Sequence, residues 1–278
     1  MENSRSTRAL GSPGVARESF VQSHAFEWLS RTGFVARALV YGIIGILALK
    51  LALGHGGKLA DQEGALQTVA RQPFGEVLLT LVAIGLGGYS LWRLVRAAIG
   101  HGPEGSDSGF DRISALASGF AYGAICALAV EILIGAGGGS AGSPKKATAG
   151  VLGWPAGAWI VGLAGVVMIG VALYQGYRGI TKTFLEESKV EEMPPPVKEW
   201  ISRLGTIGHL ARMVVFGLVG VFLIKAAVDY NPDKAVGLDG ALAKIVDRSY
   251  GPFLLGVVAA GLIAFALYSL SDARYRRI

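Results

Sequence analysis

The sequence has little charge and almost no cysteine. Of its 278 residues, 17% are charged and 52% are hydrophobic, and the mean hydropathy is +0.48. An ordinary water-soluble domain is about a quarter charged. This composition therefore argues against a soluble fold and indicates a chain that lies in a lipid bilayer. The single cysteine, Cys126, excludes a disulfide within the chain and a metal site built from cysteines.

Motifs for catalysis and cofactor binding are missing as well. The chain contains no His-Glu-x-x-His or P-loop pattern. Its four histidines lie in different segments without ligand spacing. The letters Gly137-x-Gly139-x-x-Gly142 match the dinucleotide fingerprint, but no strand precedes them. We therefore expect no enzyme activity, no cofactor and no metal. The net charge of +6 does not indicate nucleic-acid binding, because the basic residues cluster at the ends of apolar segments.

Six apolar segments of about twenty residues dominate the chain, and that length crosses the hydrocarbon of a bilayer. The predicted spans are residues 33–53, 74–96, 113–136, 151–174, 206–228 and 252–270. Residues 1–20 are expected to be a disordered tail, and residues 274–278 form a basic tail. The charged, proline-bearing linker at 181–200 is expected to be extended.

Short amphipathic helices are predicted after the first and fifth spans, and Asp239 is expected to cap the second of these. The third span is instead followed by a Gly/Ser-rich connector, which is expected to be flexible and to replace the short helix.

The spans repeat in pairs, giving units at residues 21–100, 112–180 and 201–273. Arg37, Ser118 and Arg212 align, and the second helices of the units are aligned on Tyr89, Tyr174 and Tyr268. Two spans per unit give every unit the same orientation. The predicted fold is therefore an all-α integral membrane protein, with six transmembrane helices as three tandem two-helix repeats, pseudo-threefold about the membrane normal.

Lysine and arginine are unequally divided between the two ends of the spans. The end that includes both termini holds 17 of them and the other end holds 9. Because basic residues are retained on the cytoplasmic side, both termini are expected to be cytoplasmic.

The pattern R-x-G-x-x-A-R-x-x-V-Y-G-x-x-G at 31–45 and the letters GAL and QPFG within 64–75 resemble a bacterial membrane family, the domain of unknown function 1206 family. The resemblance extends over about residues 31–273. It implies a six-helix, three-repeat fold in the cell (plasma) membrane and no established activity. The middle copy departs most from the pattern, since Ser118 stands in place of the arginine.

The even helices carry no ionisable residue over residues 77–92, 151–174 and 251–270. The odd helices carry several: Arg37, Lys50, Glu131, His209, Arg212 and Lys225. A charge that faces lipid costs a few kcal/mol or more. The odd helices are therefore expected to form an inner ring, and the even helices an outer, lipid-facing ring.

Two sets of these residues are candidates for ligand binding. Lys50, Glu131 and Lys225 occupy equivalent repeat positions, so they would lie at one depth and could gate a path or bind an anion; alternatively they snorkel to the interface or form a structural clasp. Arg37 and Arg212 could hold the phosphate or carboxylate of a small anion or lipid head group. The alternative is a structural role, by snorkelling or by bonding neighbouring carbonyls.

Small residues recur along the odd helices and favour close helix packing over a ligand loop: Gly42, Gly45, Gly119, Gly123, Gly217 and Gly220. The leading functional hypothesis is a non-enzymatic membrane protein whose charged inner site binds or passes a small anion, solute or lipid. The alternative is a membrane scaffold that binds partner proteins through the 182–199 loop and the tails.

Overall fold

The computed structural model describes residues 24–55, 59–99, 109–135, 144–247 and 249–277. Nine α-helices lie in these ranges: α1 His24–Ala52, α2 Gln62–Ala70, α3 Gly75–Ile99, α4 Gly109–Leu133, α5 Pro144–Leu152, α6 Gly157–Thr181, α7 Pro195–Val228, α8 Leu238–Val246 and α9 Gly251–Tyr275. The predicted tail at residues 1–20 lies outside the described ranges.

Six of these helices are long and apolar enough to cross a membrane, namely α1, α3, α4, α6, α7 and α9. Each pair of them encloses one short helix, so the chain is three copies of a long–short–long unit. The predicted all-helical membrane fold is confirmed.

The six long helices follow one another around a ring in chain order. Helix α1 packs on α3, α3 on α4, α6 on α7, α7 on α9, and α9 returns to α1. Among the described helices, α4 and α6 are the one pair of ring neighbours that does not pack along its length. We call the gap between them the seam. The end of the ring with α2, α5 and α8 is the short-helix face, and the end with residues 182–194 is the linker face.

The prediction of an odd inner ring and an even outer ring is wrong. Burial does not alternate between odd and even helices. The odd helix α1 and the even helices α3 and α9 are about half buried (50%, 50% and 56%), whereas the odd helix α4 and the even helix α6 are each 22% buried. The ring has one layer. The arginines Arg37 and Arg212 of the odd helices are hydrogen-bonded to polar side chains of the even helices. One of these partners, Asp272, lies two residues beyond the end predicted for the sixth span.

The segment predicted as an extended linker is mostly folded. Pro195 and Pro196 belong to the first turn of α7, where a missing N–H costs nothing. This start gives α7 34 residues and a length of about 51 Å. Short 3₁₀ turns at Thr183–Leu185 and Val190–Glu192 occupy the remaining linker.

Two predictions about the short helices are also wrong. The middle unit contains its short helix, α5, where the sequence predicts a loop. Asp239 lies in the first turn of α8 but does not cap it; the N-cap position is Gly237. The capping side chain occurs instead in the first unit, where Asp61 accepts a hydrogen bond from the Gly64 amide at 2.9 Å.

The turn between each short helix and the next long helix is the same in all three units. It has a residue in the left-handed conformation, with φ of 61°, 62° and 61° at Phe74, Ala156 and Tyr250. A glycine follows, and a Cβ atom there would overlap a carbonyl oxygen of the preceding short helix, at Gly75, Gly157 and Gly251. This shared turn fixes the register of the even helices.

That register corrects the alignment on three tyrosines. Counting from the turn glycines, Tyr89 corresponds to Phe265, and Trp92 corresponds to Tyr174 and Tyr268. The contacts agree with this count, because a Cβ on Gly33 would lie 2.5 Å from Cβ of Tyr89, and one on Gly208 would lie 2.7 Å from Cβ of Phe265. An alignment on the tyrosines displaces the first unit by three residues.

Glycines of the odd helices lie against the even helix of the preceding unit. Added Cβ atoms on Gly45 and Gly220 would lie 2.7 Å from Ile263 and 2.8 Å from Ile169. In the middle unit, Cys126 takes the corresponding position, and its thiol donates to the Ala83 carbonyl at 3.3 Å. The nearest side chains to the other glycines are Ala266 for Gly42, Leu94 for Gly119, Ser90 for Gly123 and Ala172 for Gly217.

Candidate functional site

A cluster of arginines lies inside the ring at the linker face. We define the arginine cluster as Arg37, Arg93, Arg96, Arg178 and Arg276, together with the carboxylates of Asp272 and Glu187. Three of its members occupy one repeat position, since Arg96, Arg178 and Asp272 each lie 21 residues after the turn glycine of their unit. The ends of α3, α6 and α9 therefore carry these side chains to the same end of the ring.

Arg37 is held by helices from two units. Its guanidinium donates to Ser269 Oγ at 3.1 Å, to the Tyr89 hydroxyl at 2.9 Å and to Asp272 Oδ2 at 2.6 Å. The side chain is almost fully buried, with the rings of Phe34, Tyr89 and Phe265 at 5.0 to 5.3 Å. This sequence-predicted ligand candidate is bound to protein groups on every nitrogen.

Arg212 occupies the same repeat position in the third unit, but its surroundings lack a carboxylate. With the Gln175 amide oriented to satisfy both neighbours, its oxygen accepts from the two Arg212 Nη atoms at 2.8 and 2.9 Å, and its nitrogen donates to His209 Nδ1. The guanidinium lies 4.4 Å from the Phe265 ring. Where Arg37 meets Asp272, the corresponding residue for Arg212 is Arg178. No described carboxylate therefore pairs with Arg212.

The linker carries Glu187 into the arginine cluster. Its carboxylate accepts from Arg178 Nη2 at 2.7 Å and also from Arg276. Burial alone would raise the pKa of this carboxyl, but the charges of Arg276 and Arg178 hold its pKa well below the usual range. Arg93 and Arg96 act on the same carboxylate in the same direction. Glu187 is thus a carboxylate that two arginines bind directly and two more stabilise through their charge.

Backbone and aromatic contacts fix the linker in this position. The Lys189 amide donates to the Tyr275 carbonyl at 2.7 Å, and the Arg277 amide donates to the Glu187 carbonyl at 3.0 Å. Phe184 is fully buried, stacked on His209 at 5.1 Å and edge-on to Tyr268 at 5.1 Å. The 182–199 loop, which the sequence suggests as a binding site for partner proteins, therefore directs Phe184 and Glu187 into the bundle.

Positive charge exceeds negative charge in the described part of this site. Arg93 donates to the Tyr89 hydroxyl at 3.0 Å, and Arg96 lies over the Trp92 ring at 4.9 Å. Neither has a described carboxylate within ion-pair distance, and Nη1 of Arg96 is buried without a hydrogen-bond partner. The cluster as described has five arginines and two carboxylates. It is therefore an electropositive site with at least one unused buried donor.

The second set of predicted residues lies at the opposite end of the helices. Lys50 and Lys225 are exposed, and Glu131 is half-buried. None of the ion pairs among the described side chains joins two of these three residues. Their role as a ligand site stays a prediction.

Most of the arginine cluster was missed from the sequence. Arg93 and Arg96 are within the last four residues of the second predicted span, and Arg178 and Asp272 lie beyond the predicted ends of the fourth and sixth spans. Basic residues at span ends look like interface anchors. The available signal was the constant distance of 21 residues from the turn glycine, which an alignment on glycine instead of tyrosine would have revealed.

Fold and cluster together define a multi-pass membrane protein made of three tandem copies of one helical unit. The chain belongs to the family described as Domain of Unknown Function (DUF1206), which matches it three times, at residues 32–100, 113–182 and 207–276. A Bacillus subtilis (strain 168) protein described as "Uncharacterized protein YxxB" is 33% identical over 267 residues, covering 94% of this chain and 96% of that protein. No solved structure matches the chain significantly. The three matches confirm the predicted family and its triplication, and neither description names an activity.

Proposed function

We propose that this membrane protein binds a phosphate-bearing anion in the arginine cluster at its linker face. The observation that carries the proposal is Arg96, whose buried Nη1 has no hydrogen-bond partner among the described residues. It lies beside Arg93, a second arginine that no described carboxylate pairs with. A buried cation is costly unless it is paired. An external anion would supply the missing negative charge.

Arginine suits this ligand class. Its planar guanidinium offers donors in a fork that matches phosphate or carboxylate oxygens, and such charge-assisted bonds are stronger than neutral ones. The protein already demonstrates the chemistry internally, because Glu187 binds Arg178 and Arg276 in the same cluster. An external anion would bind beside Glu187, at the arginines that Glu187 does not contact.

The distribution of basic residues supports a cytoplasmic position for this site. The linker face is the end that holds 17 of the 26 lysines and arginines, so we infer that it faces the cytoplasm and that both termini lie there. Anionic lipids attract basic segments at that surface. A lipid head group and a free phosphate compound present the same chemistry to the cluster.

Binding of dihexanoyl-phosphatidylglycerol to the purified protein in a neutral detergent tests the proposal. Loss of one charge-assisted hydrogen bond removes about 1.5–3 kcal/mol, so Arg96→Gln is expected to weaken binding about tenfold or more. Arg71→Gln, an exposed arginine at the short-helix face, is the matched control and is expected to bind like the parent. Equal affinity for Arg96→Gln and the parent would refute the site.

A lipid without net charge distinguishes binding that depends on the charge of the head group from non-specific binding of a short-chain amphiphile. Dihexanoyl-phosphatidylcholine has a phosphate but no net charge, and it is expected to bind more weakly than the anionic lipid. Inorganic phosphate added as a competitor is expected to displace the anionic probe if the site takes free phosphate compounds, and to leave it bound if the site requires a lipid.

A further inference from the structure

The seam is the place where the middle unit departs from its two relatives. In the first unit, Gly85 of α3 lies so close to α1 that a Cβ atom would be 2.8 Å from the Thr32 carbonyl oxygen and 3.0 Å from Cβ of Ala36. In the third unit, Gly261 of α9 meets Ala211 of α7 in the same way. These glycines allow the two long helices of a unit to pack closely.

The middle unit has Val167 at the position of these glycines. A valine there could not enter the contact that Gly85 makes, since even one added carbon meets backbone at 2.8 Å. The structure shows the result, because Val167 is 56% exposed while the corresponding glycines are buried. Val167 is thus one residue that keeps α4 and α6 apart. Ser114 is a second, because it stands where Gly33 and Gly208 lie against the partner helix.

The α4 wall of the seam is also exposed. Ala36 and Ala211 are buried in the outer units, whereas the corresponding Ala117 is exposed. One turn further along α4, Ala121 is exposed where Val40 and Val215 are buried. Val167, Ala117 and Ala121 are apolar, and Ala121 is smaller than the valines at its position in the outer units. Ser114 adds one hydroxyl to the α4 wall. The seam is therefore a mainly apolar cleft between two spans, open toward lipid.

We propose that the seam holds an acyl chain of an anionic phospholipid whose phosphate is bound by the arginine cluster. This inference rests on the function proposed above and names its ligand as a membrane lipid. The charge comes from arginines that Glu187 does not contact. Arg93 and Arg96 lie at the linker-face end of α3, and α3 packs on α4, one wall of the seam.

Charge complementarity selects this occupant over others. The described cluster has an excess of arginines over carboxylates, so an anionic head group is favoured over a neutral one. The cleft is mainly apolar and lies between two spans, so it fits a hydrocarbon chain that continues from that head group into the bilayer. A lipid could enter sideways through the seam and reach the cluster without crossing the linker.

Ala117→Phe, which fills the seam from the α4 wall, is the test. The matched control is Leu116→Phe, on the neighbouring residue, which is exposed and corresponds to the exposed Val35 of the closed first unit. Purified proteins are compared for binding of dioleoyl-phosphatidylglycerol and of dihexanoyl-phosphatidylglycerol, whose chains are too short to fill the cleft. Ala117→Phe is expected to weaken binding of the long-chain lipid at least tenfold and to leave the short-chain lipid unaffected, while Leu116→Phe changes neither.

The outcomes separate this proposal from the one on which it rests. Unchanged long-chain binding by Ala117→Phe, with binding still lost in Arg96→Gln, would overturn the seam and leave the arginine site standing. Loss of oligomeric mass in Ala117→Phe without loss of lipid would show that a second copy fills the seam, which also overturns the proposal. If Ala117→Phe does not fold, Val167→Phe on the opposite wall is expected to give the same selective loss.

Discussion

Arg37 shows at the residue scale how a charge is accommodated inside a span. Its position could be predicted from the sequence, because an arginine stands out within an apolar run. Its partners could not, since Asp272 is 235 residues away in the chain and lies at the end of the last helix. The decision between a ligand site and a structural one depended on those partners. For Arg37 the contacts support the structural role.

Replacement of Arg37 by glutamine is expected to destabilise the protein strongly. Among the described residues, the change leaves the buried Asp272 carboxylate with one ion-pair partner, Arg276, at 3.6 Å. Removing one partner of a buried ion pair typically costs about 3–5 kcal/mol. The free energy of unfolding, measured by denaturant titration in mixed micelles, is expected to fall by an amount in this range.

Arg212→Gln is the control for Arg37→Gln, because it removes the same charge at the same repeat position. No described carboxylate loses a partner there, and Gln175 keeps His209 as a neighbour. Its destabilisation is expected to be clearly smaller than that of Arg37→Gln. Equal losses for the two variants would show that the ion pair with Asp272 contributes no more than the arginine stems.

At the scale of the elements, the turn before each even helix defines the unit better than any sequence motif does. The similarity of the first and third turns is visible in their letters, but the letters of the middle turn, Trp154-Pro155-Ala156-Gly157, look different and fall inside the predicted fourth span. What the three turns share is physical. Each needs a left-handed residue and then a glycine whose missing Cβ leaves room for a carbonyl oxygen.

Gly157→Ala is expected to destabilise the middle unit by about 1–3 kcal/mol, the usual cost of overpacking. The added methyl would overlap the Val151 carbonyl oxygen, and backbone cannot move aside as a flexible side chain can. Gly150→Ala, in the nearby helix α5, is the control, since nothing lies within 4 Å of its added carbon. This control is expected to gain about 0.5–1 kcal/mol of helix stability.

Melting temperatures of the two variants in detergent check this prediction. The turn geometry requires opposite signs, with Gly157→Ala below the parent and Gly150→Ala at or above it. A melting temperature for Gly157→Ala equal to that of the parent would mean that the turn tolerates a side chain and does not set the register of α6.

At the scale of the whole molecule, the number of spans, their pairing and their common direction could be predicted from apolar length and repetition. The layering could not, because the predicted spans end at or before the polar residues of the even helices. The even helices carry Arg96, Arg178 and Asp272 into the interior of the bundle. They therefore alternate with the odd helices in a single ring and do not form an outer layer. The seam was also beyond prediction, since the effect of Val167 depends on knowing that Gly85 and Gly261 touch the neighbouring helix.

Orientation is a property of the whole molecule that the distribution of charge predicts. The linker face holds 17 lysines and arginines and the short-helix face holds 9, and each basic residue near an anionic leaflet contributes about 1 kcal/mol. The linker face is therefore expected to be cytoplasmic. Cysteine labelling in intact cells with a membrane-impermeant maleimide measures this directly, in a Cys126→Ala background.

Lys198→Cys and Arg71→Cys form a matched pair for this measurement, because both positions are exposed and each change removes one positive charge, from opposite faces. The difference in basic residues between the faces therefore changes by only one in either variant. Arg71→Cys is expected to be labelled in intact cells, and Lys198→Cys only after the membrane is permeabilised. The reverse pattern would place the arginine cluster on the outer surface, where cytoplasmic phosphate compounds and inner-leaflet lipids could not reach it.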